Sequence, residues 1–289
     1  MQYRQVLVMG GRGFRPEQFT ESLRGVCVDR AGLVYAAGDS EVKVFDAQGR
    51  LVRRWKTEKP GYCVALSDHK TVHVGQAGQV QQHDEDGKLL ATLRDGERLG
   101  LVTSVGLSGE HVLLADATHR CIRRYDKDGK LLNDIGADNN TRGFLIPNGH
   151  LDFALDGKGV IHAANPGKYR IERYTPAGEL LGHFGRFGAR NVEDFPGCCN
   201  PTNVALTAQG LVVVTEKAPA RAKTYDAGGK LLAFIGPEAF DQNCKNMDVA
   251  VDSRGRLYIV DTARLQIDVF ALDESAPASG PTAATKRIP

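Results

Sequence analysis

Phe45-Asp46-Ala47-Gln48-Gly49-Arg50-Leu51 is one statement of a phrase that this chain repeats. It returns as His83-Asp84-Glu85-Asp86-Gly87-Lys88-Leu89 and as Tyr125-Asp126-Lys127-Asp128-Gly129-Lys130-Leu131. Two further copies are Tyr174-Thr175-Pro176-Ala177-Gly178-Glu179-Leu180 and Tyr225-Asp226-Ala227-Gly228-Gly229-Lys230-Leu231, and Phe270 stands where a sixth would begin. Successive aromatic or His leaders are 38, 42, 49, 51 and 45 residues apart. A period of that size belongs to stacked units, none of which can bury its apolar face alone.

Working outward from the copy at Tyr225 shows what one unit holds. Asn203–Leu206 alternates like a strand, Thr207–Gly210 is a turn, and Leu211–Val214 is a buried strand. Ala222–Tyr225 alternates again, and Leu231–Ile235 follows the Gly228-Gly229 turn. Short Gly turns between apolar runs force antiparallel hairpins. Four strands per unit, with no helix of three turns, predict propeller blades. Five blades are complete. The sixth has Asp248–Val251, Leu257–Val260 and Gln266–Phe270 but lacks an outer strand. Gln5-Val6-Leu7-Val8-Met9-Gly10 matches Lys230–Gly236 in pattern and is predicted to supply it, closing the ring and removing sheet edges. The expected fold is therefore all-β, a six-bladed β-propeller over residues 1–273. The tail 274–289, rich in Ala, Ser, Pro and Thr, reads as a disordered end or linker.

Asp248-Val-Ala-Val-Asp252-Ser-Arg-Gly-Arg-Leu-Tyr-Ile-Val-Asp261 resembles the NHL-repeat pattern, as does Phe195-Pro-Gly-Cys-Cys-Asn-Pro-Thr-Asn-Val-Ala-Leu206. The resemblance covers roughly residues 3–272 and implies a six-bladed NHL propeller. The chain is also similar to a bacterial subgroup that carries Gly-Cys-Cys-Asn-Pro in one blade and Cys-Lys-Asn-Met-Asp in the next.

The charge balance, 37 basic against 35 acidic residues, gives no electrostatic footprint for non-specific nucleic-acid binding. No apolar run is long enough to span a membrane. No signal peptide is visible, so a cytoplasmic location is expected unless a leader has been removed, in which case the protein is periplasmic or exported. Neither a HExxH nor a GxSxG motif is present, and Gly10-Gly11-Arg12-Gly13 opens no helix, so the dinucleotide fingerprint fails its context test. The lyase that amidates peptides, a relative in the NHL family, holds zinc with several loop His. Here only His150 has a comparable place, which argues against that activity.

One set of turns is short and uniform, whereas Gly10–Arg24, Gly136–His150, Gly185–Thr202 and Gly236–Met247 are long and irregular. Long loops over a uniform scaffold are where function is expected. The expected partner is a small molecule or a protein segment at that face, over the channel. Two aligned columns reach it. At the end of each second strand stand Gly38, Gln76, Asp116, Asn165, Glu216 and Asp261, whose Asp residues can tie loop backbone together. At the start of each innermost strand stand Gly25, Cys63, Ser104, Asp152, Asn203 and Asp248. NHL repeats usually have Gly there. Asp152, Asn203 and Asp248 offer hard oxygens suited to a divalent cation, or to hydrogen bonds with loop backbone. Lactonase-type propellers hold a metal with such a set, although no lactonase motif occurs here.

Cys27, Cys63 and Cys121 read as packing residues. Cys198, Cys199 and Cys244 lie in loops of adjacent blades and are expected to converge near the mouth, with Lys217, Asn246 and Asp248 around them. Three chemistries stay open: a disulfide, thiolate ligation of a soft or borderline metal together with His150, or reduced packing thiols. A metal-dependent lyase or hydrolase at the mouth is the alternative to a binding propeller.

Overall fold

The computed structural model describes residues 1–96 and 98–273, and the predicted tail lies outside the described residues. They form six four-stranded antiparallel sheets arranged as propeller blades. Blade five is typical: Asn203–Leu206, Val212–Glu216, Arg221–Tyr225 and Leu231–Ile235 pair in sequence order from the channel outward. Besides strands, the described residues hold only two short 3-10 turns, Pro166–Lys168 and Pro237–Ala239. None of their helices is long and apolar enough to cross a membrane.

The repeated phrase has one structural meaning. The Asp46 carboxylate accepts the backbone N–H of Gln48 at 3.0 Å and of Arg50 at 2.9 Å, and Gly49 takes a positive φ of 80°. The same bonds recur at Asp84, Asp126 and Asp226, and Thr175 Oγ1 accepts the N–H of Glu179 at 3.1 Å. Every copy is followed by the same register shift, at Phe45, His83, Tyr125, Tyr174 and Tyr225. A turn with a left-handed Gly feeding a bulge turns the leading aromatic inward, opposite the closing Leu. Phe45 and Tyr125 are fully buried as a result. Burying such a side chain contributes about 1.5–3 kcal/mol.

The outer strand of blade six is Tyr3–Gly10, which pairs antiparallel with Gln266–Leu272 in the register Met9↔Ile267. Met9 packs with Phe19, Phe45, Tyr258 and Val269, so the seam between the chain's two ends is part of a core cluster.

The long loops are pinned by their own aromatics. Gly185 ends the outer strand of blade four with a φ of 105°, and a Cβ there would stand 2.5 Å from the Phe195 ring. Phe19, Phe144 and Phe240 plug the other three long loops and are buried.

Candidate functional site

The six innermost strands enclose a channel of about 300 Å³, to which every blade contributes. Above it, on the long-loop face, opens a cavity of about 530 Å³ lined mainly by polar groups, among them Arg24, Tyr62, Asn148, His150, Lys245 and Asn246. Thr103 and His150 belong to the upper cavity, while Ser104 and Asp152 line the channel beneath. The first sequence column therefore marks the level at which mouth becomes channel.

At that level the inner strands of blades three to six each hold the next blade through a side chain. The Asp152 carboxylate accepts the backbone N–H of Val204 at 2.8 Å, and Asp248 Oδ2 accepts that of Val26 at 2.8 Å. Ser104 Oγ donates to the Phe153 carbonyl at 3.3 Å. Asp248 Oδ1 accepts its neighbour's N–H, from Val249, at 2.9 Å. Asn203 Nδ2 donates to His150 Nε2 at 2.9 Å and, more weakly, to Asp248 Oδ1 at 3.5 Å. Asn203 is 1 % exposed, and its Oδ1 has no hydrogen-bond partner in the structure. A buried carbonyl oxygen left unpaired costs about 1–3 kcal/mol, and functional sites are where such costs are tolerated.

Electrostatics sharpen the picture. Burial pushes the Asp152 carboxyl up to about 6, against backbone hydrogen bonds such as that from Val204 that favour its charged form. Asp248 is raised well above the ordinary carboxylate range, first by burial and then by the charge of Asp152. His150 is held down at about 4 by burial, so at neutral pH it is uncharged and its Nε2 can accept from Asn203. The floor thus favours something that donates hydrogen bonds or carries positive charge.

The rim is mixed, with Arg24 and Lys245 beside Glu21. The Arg24 guanidinium stacks over the Tyr62 ring at 4.2 Å, a contact that fixes its position. Among the described residues no acidic side chain pairs with Arg24 or with Lys245. Asn246, in a left-handed conformation with φ 51°, accepts from Asn148 Nδ2 at 2.5 Å and bridges two blades across the mouth.

The structure gathers four sequence-derived residues, His150, Asp152, Asn203 and Asp248, and puts Asn246 on the rim above them. The others go elsewhere. Glu216 is fully buried in an ion pair with Lys223 at 2.5 Å and with Arg221 at 2.8 Å, and lines neither cavity. Asp116–Arg123 at 3.0 Å and Asn165–Glu172 at 3.0 Å repeat that second-to-third-strand pairing with different chemistry. Burial pulls Lys223 down to about 8 and raises Glu216. Glu216 is thus engaged by Lys223 and Arg221 of its own blade, away from both cavities.

The expected convergence of three cysteines does not form. Cys198 and Cys199 contact one another, Sγ to Sγ at 2.8 Å, with Lys217 beside Cys199. Cys244 instead donates to Asp261 Oδ1 at 3.1 Å and packs with Phe240, Met247 and Ile259. The loop turns at Asp241, so this small apolar side chain points into the core. The proposed metal set Cys198, Cys199, Cys244 and His150 is therefore divided among three places. Among the described residues no group of three His, Cys, Asp or Glu side chains is arranged to hold a metal ion. Tyr62 and Asn148 were not anticipated from the sequence. The position of Tyr62 next to Cys63, at the head of a column, was the available signal.

No family model and no curated protein matches the chain. Solved structures do. A structural-genomics protein of unknown function from Bacteroides thetaiotaomicron superposes with a TM-score of 0.66 at 12% identity, over 93% of this chain and 75% of that one. A chain of a mitotic checkpoint complex gives 0.64 at 11%, over 93% and 91%. Virginiamycin B lyase from Staphylococcus aureus gives 0.61 at 10%, over 94% and 100%. At these identities the likeness establishes the propeller fold alone.

Proposed function

We propose that this protein is a ligand-binding propeller of the NHL-repeat type that takes a small polar molecule, or the end of a protein segment, at the centre of its long-loop face. The observation that supports it is the axial cavity itself. Its rim presents Arg24 and Lys245, which pair with no acidic side chain among the described residues, with Glu21 nearby, and below them His150 lines the cavity with the unpaired acceptor of Asn203 buried behind it. A fitting ligand has a carboxylate for Arg24 and Lys245 and N–H or O–H donors for the floor. Amino acids, hydroxy acids and peptide C-termini have both. Arg24 is held by Tyr62 before any ligand arrives, which lowers the ordering cost of binding.

The test is a calorimetric and thermal-shift screen of amino acids, hydroxy acids and short peptides with free carboxylates. A compound that binds the native chain should lose roughly tenfold or more in Arg24→Met and in Asn203→Ala, as expected for about 1.4 kcal/mol or more per lost interaction. Binding that survives both substitutions, or no binding from any of these classes, overturns the reading.

A second reading, a metal-dependent lyase or hydrolase at the same mouth, draws on the hard oxygens of Asp152, Asn203 and Asp248. All four carboxylate oxygens of a bare pair would suit a cation, but three of them, Asp152 Oδ2 and both Asp248 oxygens, already accept backbone N–H groups. Elemental analysis decides it. Stoichiometric calcium, magnesium or zinc in the purified protein supports the enzyme. Metal-free protein whose melting is unmoved by added calcium or zinc removes it.

A further inference from the structure

Four of the six cysteines are accounted for by packing. Cys27, Cys63 and Cys121 sit in strands, and burial raises all three thiols, while Cys244 is sealed against Asp261. All six cysteines are free thiols, but Cys198 and Cys199 are adjacent, and Cys198 is exposed while Cys199 is only 3 % exposed. Their sulfurs touch at 2.8 Å.

The loop that carries them is held from both sides by one amide. Asn200 Nδ2 donates to the Pro196 carbonyl at 2.7 Å and to the Lys217 carbonyl at 2.8 Å, and Asn200 Oδ1 accepts the Lys217 N–H at 2.8 Å. That clamp fixes the pair against the turn at Lys217. Burial and the neighbouring Cys198 sulfur push the Cys199 thiol up, and the Lys217 ammonium beside it opposes them in part. An accessible thiol, a sheltered partner in contact with it, and a cation beside the partner are the components of a thiol–disulfide exchange centre.

We propose that Cys198 and Cys199 form a two-electron redox site that reacts with low-molecular-weight disulfides, Cys198 attacking and Cys199 resolving. The Cys198 thiolate attacks one sulfur of the disulfide RSSR. The RSSR bond breaks, and the departing thiolate takes up the proton that Cys198 has lost. The Cys199 thiolate then attacks the Cys198 sulfur of the mixed disulfide and expels the second thiolate, which takes the proton from Cys199. Two protein thiols become one disulfide, and RSSR is reduced to two RSH. A bond between neighbouring residues is geometrically constrained and close to solvent, so it reopens readily with excess thiol.

The experiment exposes the full chain to oxidised glutathione, blocks residual thiols by alkylation and maps peptides by mass. In the native chain, the peptide containing Cys198 and Cys199 should lose two hydrogen masses and two alkylation sites, and excess reduced glutathione should restore both. Cys27, Cys63, Cys121 and Cys244 should stay alkylatable after unfolding. Cys199→Ser should stop at a stable glutathione adduct on Cys198, and Cys198→Ser should form none, each with an unchanged far-ultraviolet spectrum. A pair that remains fully alkylatable overturns the proposal, as does a native chain that accumulates the adduct without closing it. The measurement on the native chain stands even where a variant folds poorly.

Discussion

The inner ring has two halves built on one backbone. In blades one to three the column at the head of the channel is Gly25, Cys63 and Ser104; in blades four to six it is Asp152, Asn203 and Asp248. The first half is packing. A Cβ on Gly25 would lie 2.7 Å from the Cys63 Cα, and the Cys63 thiol comes no closer than 3.9 Å to its acceptor, the Val102 carbonyl. The second half carries charge, a neutral imidazole and an unpaired amide oxygen. The cross-blade contact is made by close packing and the Ser104 hydroxyl on one side, and by two carboxylates and the Asn203 amide on the other. Stability therefore does not require the acids, since the other blades do without them.

That contrast can be broken most forcefully at Gly25. Gly25→Val should cost about 3 kcal/mol in denaturant unfolding, because the new side chain meets backbone that cannot yield. A variant as stable as the native chain would show that the close approach of blades one and two is not there.

Asp152→Asn probes the other half, with the opposite sign. The folded state raises the Asp152 carboxyl from 3.8 to about 6, so it holds its proton more tightly than the unfolded chain does. The associated stability is complete below about pH 4 and is lost as the pH rises through 6. The Asn variant lacks that loss. It should be more stable than the native chain at pH 8, by on the order of 3 kcal/mol, and the two should converge toward pH 4. Equal melting temperatures at pH 8 would mean that the ionised pair is compensated, as a bound cation would do.

Ser104→Ala, at the border between the halves, should matter least. Its hydrogen bond to the Phe153 carbonyl is long at 3.3 Å, and its loss should cost under about 1 kcal/mol in the same unfolding assay. A larger effect would move Ser104 into the charged half.

Much of this was legible from residues. The Asp-x-x-Gly phrase specified a turn and its bulge because a short carboxylate, a left-handed Gly and an inward aromatic are local requirements. The closing strand was legible at Gln5–Gly10 from its likeness to Lys230–Gly236. The first column was found by alignment of repeats, since equivalent positions in stacked blades must surround one axis. Repeats do not specify where a loop side chain turns. Cys198 and Cys244 hold similar offsets from their strands, yet the turn at Asp241 sends one inward while the Asn200 clamp leaves the other at the surface. Glu216 misled for a related reason. Its partner Lys223 lies seven positions on, and that pairing becomes visible only once the hairpin is formed.

The seam between Tyr3–Gly10 and Gln266–Leu272 bears on how the protein is made. As the chain leaves the ribosome, Tyr3–Gly10 has no partner until Gln266–Leu272 has been synthesised. Blades one to five can assemble from hairpins whose strands are close in sequence, but the circle closes by a contact that spans nearly the whole chain, the kind that carries the greatest loop-closure entropy and forms slowly. Until then Val6 and Val8 belong to an unpaired strand, and the exposed edge of blade six is open to another copy's first strand. Newly made protein is thus most prone to exchange strands between molecules in the interval before its own two ends meet.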